Sequence, residues 1–164
     1  PFWGKCWELG ASDEETRQRL VSIKNQIQNL LSHLPQNTNC FGMIHADMHL
    51  NNVLKDGDRL NVIDFDDAGY GWHAFDLAVG IYHLLLNPTL RTHFELVRSA
   101  VAEGYLEVRP DSKYIVAMVP LFLLIRSLMT LKWIEDRPEV GHSDMIPKLI
   151  ELAFGQARGL SLEF

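Results

Sequence analysis

The sequence has 164 residues, about the length of one domain, and 47% of them are hydrophobic, enough for a packed core. The net charge of −6 argues against nucleic-acid binding, which needs a basic surface. The two cysteines, Cys6 and Cys40, make no disulfide framework, and no secretory signal is visible at the start. We therefore expect reduced thiols and a cytoplasmic location.

A helix is predicted near the start of the chain. Ser12 and Glu15 fit a capping box, in which each side chain bonds the backbone of the other residue. Leucine and isoleucine then recur at helical spacing, and Pro35 ends the pattern.

A short β-rich unit is predicted next. Residues 42–45 form a strand that leads into a loop, and residues 53–54 and 59–65 form a hairpin around the turn at residues 56–58. The glycine-rich residues 68–71 are expected to be a flexible connection. The hairpin brings the polar residues at its two ends towards each other.

The rest of the chain is predicted to be helical. Helices are expected from about residue 73 to 87, after Thr89, over residues 113–137 and after Ser143. The apolar run at residues 114–125 is too short to span a bilayer, which takes about 20 residues. A buried helix is therefore expected, with no membrane contact, and the fold class is α+β, mainly α-helical.

The clustered polar residues lie between residues 42 and 76. His45, Asp47 and Asn52 make the pattern H-x-D-x-x-x-x-N, and Asp64 follows twelve residues after Asn52. Phosphoryl transfer needs a carboxylate that takes the proton of a substrate hydroxyl, and oxygen ligands for a Mg²⁺ that bridges the phosphates. Asp47 is the candidate base, and Asn52 and Asp64 are the candidate metal ligands.

Three segments in this stretch resemble the aminoglycoside phosphotransferase and choline kinase-like family, which is related to the protein kinases. They are HADMHLNN at residues 45–52, VIDFDD at residues 62–67 and FDLA at residues 75–78. The resemblance implies a protein-kinase-like C-terminal lobe, in which a short β-hairpin carries the catalytic and metal loops. It also implies ATP and Mg²⁺, and a hydroxyl of a small molecule (aminoglycoside, choline or homoserine-like) or of a protein Ser/Thr as acceptor.

The resemblance also implies roles for the matching residues. Asp47 corresponds to the catalytic base, and Asn52 and Asp64 to the magnesium ligands. His45 packs beneath the catalytic loop, and Asp76 holds that loop by accepting backbone N–H bonds.

Three neighbouring residues are less defined by the pattern. Ala46 stands where the family commonly has glycine, a mild departure that leaves the catalytic residues intact. His49 and Asp66 are candidates for contact with the substrate or a second metal.

The resemblance covers the C-terminal lobe only. The 46 residues before Asp47 contain no glycine-rich loop and no lysine in a strand-like context. Residues 1–164 are therefore expected to be the catalytic and substrate lobe, lacking its nucleotide lobe and inactive alone. Apolar surface where that lobe would dock, near Phe2, Trp3 and Trp7, would favour self-association.

Two other functions fit the residues. His45, Asp47 and His49 make H-x-D-x-H, which could serve a metal-dependent hydrolase, although no full zinc set occurs at a recognised spacing. A non-catalytic pseudokinase binding module is the second alternative.

Overall fold

The computed structural model describes residues 5–10 and 12–164, so Phe2 and Trp3 lie outside the described part. Within it, the chain is mainly helical, as predicted, and it has two small antiparallel sheets. The helices are α1 (Glu14–His33), α2 (His73–Leu86), α3 (Phe94–Val108), α4 (Lys113–Glu135) and α5 (Ile146–Gly159), and the strands are β1 (Phe41–Ile44), β2 (Val53–Asp56), β3 (Arg59–Val62) and β4 (Gly69–Trp72).

The residues divide into two compact units. The first, here called the helical unit, joins the described residues up to Leu34 with Leu124–Phe164. It contains α1, the second half of α4, and α5. Its fully buried side chains include Leu9, which precedes α1, and several from the three helices: Leu20, Ile23, Leu124, Ser127, Leu131 and Leu149.

Helix α1 begins one residue later than the capping box predicted. Asp13 is the N-cap, and its carboxylate accepts a hydrogen bond from the Thr16 backbone N–H at 2.7 Å. The Ser12 hydroxyl instead donates to the Leu9 carbonyl at 3.1 Å. The predicted capping box was therefore wrong, because the Ser12 side chain is committed to the preceding turn.

The second unit, here called the loop unit, spans Pro35–Leu123 and holds every candidate site residue. Its core packs against one face of helix α2, and the buried side chains on that face are mostly apolar. The buried apolar residues of this unit include Cys40, Ile44, Ala74, Phe75, Ala78, Val79, Ile81, Leu84, Ile115 and Val119.

Strand β4 replaces the predicted flexible connection at residues 68–71. It pairs antiparallel with β1, and Gly42 lies opposite Gly71. A Cβ atom at Gly71 would collide with Cδ1 of Ile44, the residue that fills this face of the sheet. Glycine there makes room for close packing and does not mark flexibility, which is why the prediction was wrong.

Helix α4 is continuous through Pro120. By length and composition alone it could cross a membrane, but half of its most apolar window is buried inside the protein. The core helix of a protein that never meets a membrane can have the same length and composition.

Both cysteines are free and buried, and burial raises the pKa of the Cys6 thiol to about 12.

Candidate active site

The loop after β1, residues 45–52, is anchored by one carboxylate from helix α2. Asp76 accepts hydrogen bonds from the backbone N–H groups of His45 and Ala46, each at 2.8 Å. Asp76 lies in the first turn of α2, where the helix dipole favours a negative charge. Because both bonds are charge-assisted, they hold the start of the loop firmly on the helix.

His45 ties the loop to the segment that follows β3. Its ring is buried, and Nε2 lies 2.8 Å from the Ile63 carbonyl oxygen. The Asp47 backbone N–H lies 3.3 Å from Nδ1. A carbonyl oxygen only accepts and an N–H only donates, so these contacts select the neutral ring with its proton on Nε2. Both nitrogens are therefore engaged inside the protein.

Asn52 closes the loop from its other end. Its side-chain NH₂ donates to the Asp47 carbonyl oxygen at 3.0 Å, and its own backbone carbonyl accepts from the Ile63 N–H at 3.0 Å. The side chain is buried, and its donor end is committed to the loop. The amide oxygen at the other end is the atom with which an asparagine binds a metal ion.

Asp64 occupies a different environment from the one expected. Strand β3 ends at Val62, so Asp64 lies beyond the strand and is exposed rather than buried between apolar neighbours. Its φ of 65° is in the left-handed region, which a strand cannot contain. The backbone turns there, and the prediction that residues 59–65 form one strand was wrong.

The hairpin still brings the two candidate metal ligands to the same end. Val53 pairs with Val62, and the Asn52–Ile63 hydrogen bond extends this pairing by one step. Asn52 and Asp64 thus flank the base of the hairpin. Asp66 is also exposed, two residues further on.

His49 contacts the candidate base directly. Its Nε2 lies 3.3 Å from Oδ2 of Asp47, and both side chains are partly exposed. The backbone N–H of His49 also donates to the Asp47 carbonyl at 2.8 Å. The imidazole therefore borders the carboxylate from within the same loop.

Ala46 adopts a conformation that explains why glycine is common at this place in the family pattern. Its φ is 66°, in the left-handed region, where a side chain costs an L-residue roughly 1–2 kcal/mol. Neighbouring contacts must hold it there, and the bond from its N–H to Asp76 is one of them.

The geometry disfavours the hydrolase alternative. In the described part of the chain, no group of three or more His, Cys, Asp or Glu side chains is placed to hold a metal ion. His45 in particular uses both ring nitrogens in hydrogen bonds to the backbone. A site with one amide oxygen and one carboxylate instead suits Mg²⁺, which keeps several waters and takes further ligands from phosphates.

Comparison with known proteins supports the family expected from the motifs. Residues 5–110, more than half of the chain, match the model of the phosphotransferase enzyme family. The chain belongs to this family. The match includes the whole loop from His45 to Asn52 and the anchoring Asp76.

Two of the relatives that this phosphotransferase chain matches are kinases. Amicoumacin kinase of Bacillus subtilis (strain 168) is 27% identical over 120 residues, which are 70% of this chain and 36% of that protein. Homoserine kinase of Methylobacterium radiotolerans is 37% identical over 81 residues, 49% of this chain and 25% of that protein.

Two solved kinases share its fold. The microcompartment-associated aminopropanol kinase gives a TM-score of 0.71 at 25% identity, over 95% of this chain and 47% of that one. An amicoumacin kinase in complex with AMP-PNP, Ca²⁺ and Ami gives a TM-score of 0.62 at 18% identity, over 91% and 48%. The predicted α+β kinase-like lobe is confirmed, and the chain spans about half the length of these structures.

Sequence reasoning missed the role of helix α2 beyond Asp76. Gly80 approaches the loop at residues 45–52 closely, since a Cβ there would lie 3.4 Å from the Met48 carbonyl oxygen. Asp76, Gly80 and His83 are spaced at i, i+4 and i+7, so they share one helical face. That spacing was the available signal, but it points at the loop only once the fold is known.

Proposed function

We propose that this chain is the catalytic and substrate-side part of an ATP-dependent kinase that phosphorylates a hydroxyl of a small molecule. The observation that carries the proposal is the pinned loop. Asp76 fixes its start, and Asn52 closes its end on the Asp47 carbonyl. Phosphoryl transfer relies mainly on positioning and on electrostatics, so a rigid loop with one carboxylate at its centre suits it.

Asp47 acts as the base in this proposal. Its carboxylate orients the substrate hydroxyl and accepts its proton as the oxygen attacks the terminal phosphorus of ATP, while the bond from that phosphorus to the bridging oxygen breaks and ADP leaves. A positioned base of this kind contributes about 10²–10⁴ in rate. The side chain is partly exposed, so the hydroxyl of a substrate that enters from solvent can reach it.

Asn52 and Asp64 would hold Mg²⁺ through the amide oxygen and the carboxylate. The ion neutralises charge on the phosphates when it is bound. The donor set fits this ion, because the Asn52 NH₂ is already committed to the Asp47 carbonyl and its oxygen is the remaining ligand atom. Asp66, exposed near Asp64, is the candidate contact for a second ion or for a cationic substrate.

An amino alcohol is the substrate class we favour. Two of the relatives are named for aminopropanol and homoserine, which each carry an amino group and a hydroxyl. The exposed carboxylates of Asp66 and Asp67 lie two and three residues after Asp64 and would attract an ammonium group.

The nucleotide would be gripped mainly by a further part of the protein. The exposed apolar residues around the hairpin, here called the hairpin face, offer a surface for it, because such patches usually mark an interface. They are Leu50, Leu54, Leu60, Ile63 and Phe65. We infer that the chain without that further part does not turn over ATP. We also infer that the exposed hairpin face promotes self-association.

Metal binding tests the proposal on the chain itself. Mn²⁺, a paramagnetic substitute for Mg²⁺, should broaden the amide signals of Asn52 and Asp64 in NMR spectra recorded with AMP-PNP. Asp64→Asn should weaken the broadening, whereas Asp56→Asn, exposed on the same hairpin, should not. Equal broadening in both variants would contradict the assignment.

Activity tests the base. In the full-length protein, Asp47→Asn should lower kcat on an amino alcohol by about 10²–10⁴-fold. Nucleotide binding without turnover on any alcohol would favour the pseudokinase module instead.

A further inference from the structure

Two imidazole nitrogens near the catalytic loop face the protein interior. Nδ1 of His49 and Nδ1 of His83 are inaccessible to solvent, and neither meets a hydrogen-bond partner among the described residues within ordinary geometric limits. A buried polar atom that is left unpaired is unfavourable, so it calls for an explanation. His49 belongs to the loop, and His83 lies in the last turn of α2.

The contact with Asp47 defines the proton arrangement of His49. Its Nε2 faces the carboxylate oxygen at 3.3 Å, and a carboxylate only accepts, so Nε2 carries the proton. In the neutral ring, Nδ1 is then an acceptor that points away from Asp47. A donor behind it would fix the rotation of the ring and, through the ring, the orientation of the carboxylate.

Helix α2 brings His83 to the place where that donor is needed. Asp76 and Gly80, on the same helical face, contact the loop at Ala46 and at the Met48 carbonyl. The next residue on this face is His83. Burial and then the neighbouring charge of His49 lower the pKa of His83, and together they outweigh an interaction with the Gly80 backbone that raises it, which favours a neutral His83 ring.

We propose that His83 is a positioning residue for Asp47 and acts through His49. Its Nδ1–H donates to one buried water, which in turn donates to Nδ1 of His49, and His49 donates from Nε2 to the Asp47 carboxylate. Helix α2 would then support the loop at its start through Asp76 and at its centre through His83. The part that concerns catalysis rests on the proposed kinase function, whereas the hydrogen-bond chain does not.

The ¹⁵N NMR signals of the histidine ring nitrogens test the proposed hydrogen-bond chain directly. In ¹⁵N NMR spectra at neutral pH, His49 should give the pattern of a single tautomer protonated at Nε2. His83→Phe should convert this into a mixture, while His93→Phe, an exposed histidine in the same unit, should leave it unchanged. A His49 pattern that is identical in both variants would overturn the proposal.

Two amide variants separate a hydrogen bond from simple packing. The asparagine amide reaches the position of Nδ1, and the longer glutamine amide reaches that of Nε2. His83→Asn should therefore restore the single His49 tautomer, and His83→Gln should not. If the two variants behave alike, His83 does not act through Nδ1.

The kinetic consequence is a fall in kcat with little change in KM. In the full-length protein, His83→Phe should lower kcat about 10-fold or more, and His83→Asn should recover most of the lost kcat. A kcat that falls only in proportion to the folded fraction would contradict the positioning role. A protein without kinase activity, but with the NMR response above, would overturn the proposed function and leave the hydrogen-bond chain in place.

Discussion

Replacing Asp76 tests the architecture of the loop unit most directly. The carboxylate accepts two backbone hydrogen bonds at 2.8 Å, from His45 and Ala46. Hydrogen bonds to charged groups contribute about 1.5–3 kcal/mol each, so removing both acceptors in Asp76→Ala should cost about 3–6 kcal/mol. Total stabilities are about 5–15 kcal/mol, so that variant could unfold the unit.

Asp76→Asn is the more informative change. Asparagine keeps one acceptor oxygen and turns an NH₂ group towards the second backbone N–H, so one bond is lost. We expect a loss of about 2–3 kcal/mol in the free energy of unfolding, measured by urea denaturation. Asp58→Asn, an exposed residue in the hairpin turn, should stay within about 0.5 kcal/mol of the unchanged chain.

Amide hydrogen exchange localises the effect. The N–H groups of His45 and Ala46 should exchange faster in Asp76→Asn by a larger factor than the N–H groups of β2 and β3. If the urea midpoint and the exchange rates of those two amides both match the Asp58→Asn control, Asp76 does not hold the loop. The assignment of the whole site to one pinned loop would then fail with it.

Three further substitutions test individual contacts. Ala46→Gly relieves about 1–2 kcal/mol of left-handed strain and loses about 0.4–1 kcal/mol to unfolded-state entropy, so it should be neutral or raise Tm slightly, whereas Ala100→Gly, at an exposed helical position, should lower stability by about 1 kcal/mol. Gly71→Ala should lower stability by about 1–3 kcal/mol in urea titrations because its Cβ collides with Ile44, and a neutral result would contradict the β1–β4 packing. Burial and then Arg109 hold the pKa of His73 below the ordinary 6.5, so as pH falls below 6.5 the unfolded chain takes up the proton first and stability drops until pH passes the folded pKa. His73→Gln should flatten that part of the urea-midpoint curve between pH of about 7.5 and about 5.5, and an unchanged slope would count against it.

The helices were predictable because each carries its own signal. Apolar residues at helical spacing and terminal residues such as Pro35 are local in sequence, and the observed bounds of α1, α2 and α4 fall within a few residues of those predicted. The hairpin was also predictable, since Asp56 and Gly57 mark its turn. These elements bring Asn52 near Ile63, and with it the two candidate metal ligands to one end.

The sheet formed by β1 and β4 could not be predicted in the same way. Its partners are 25 to 31 residues apart, from Ile44 with Gly69 to Phe41 with Trp72. In a single sequence, the two glycines of β4 indicate flexibility. Only the side chain of Ile44, which occupies the place of a Cβ at Gly71, explains why glycine is needed there.

Two strained residues bracket the candidate site, and their strain follows from its architecture. Ala46 and Asp64 both have a positive φ, although neither is glycine. Ala46 is held by its bond to Asp76, and Asp64 directly follows Ile63, whose carbonyl and N–H bond His45 and Asn52. Each strained residue is thus adjacent to, or part of, a bond that joins the loop to another element. The bonds offset the strain, and the turn at Asp64 carries its carboxylate out of the strand to the surface beside Asn52, where an ion bound to phosphates could reach it.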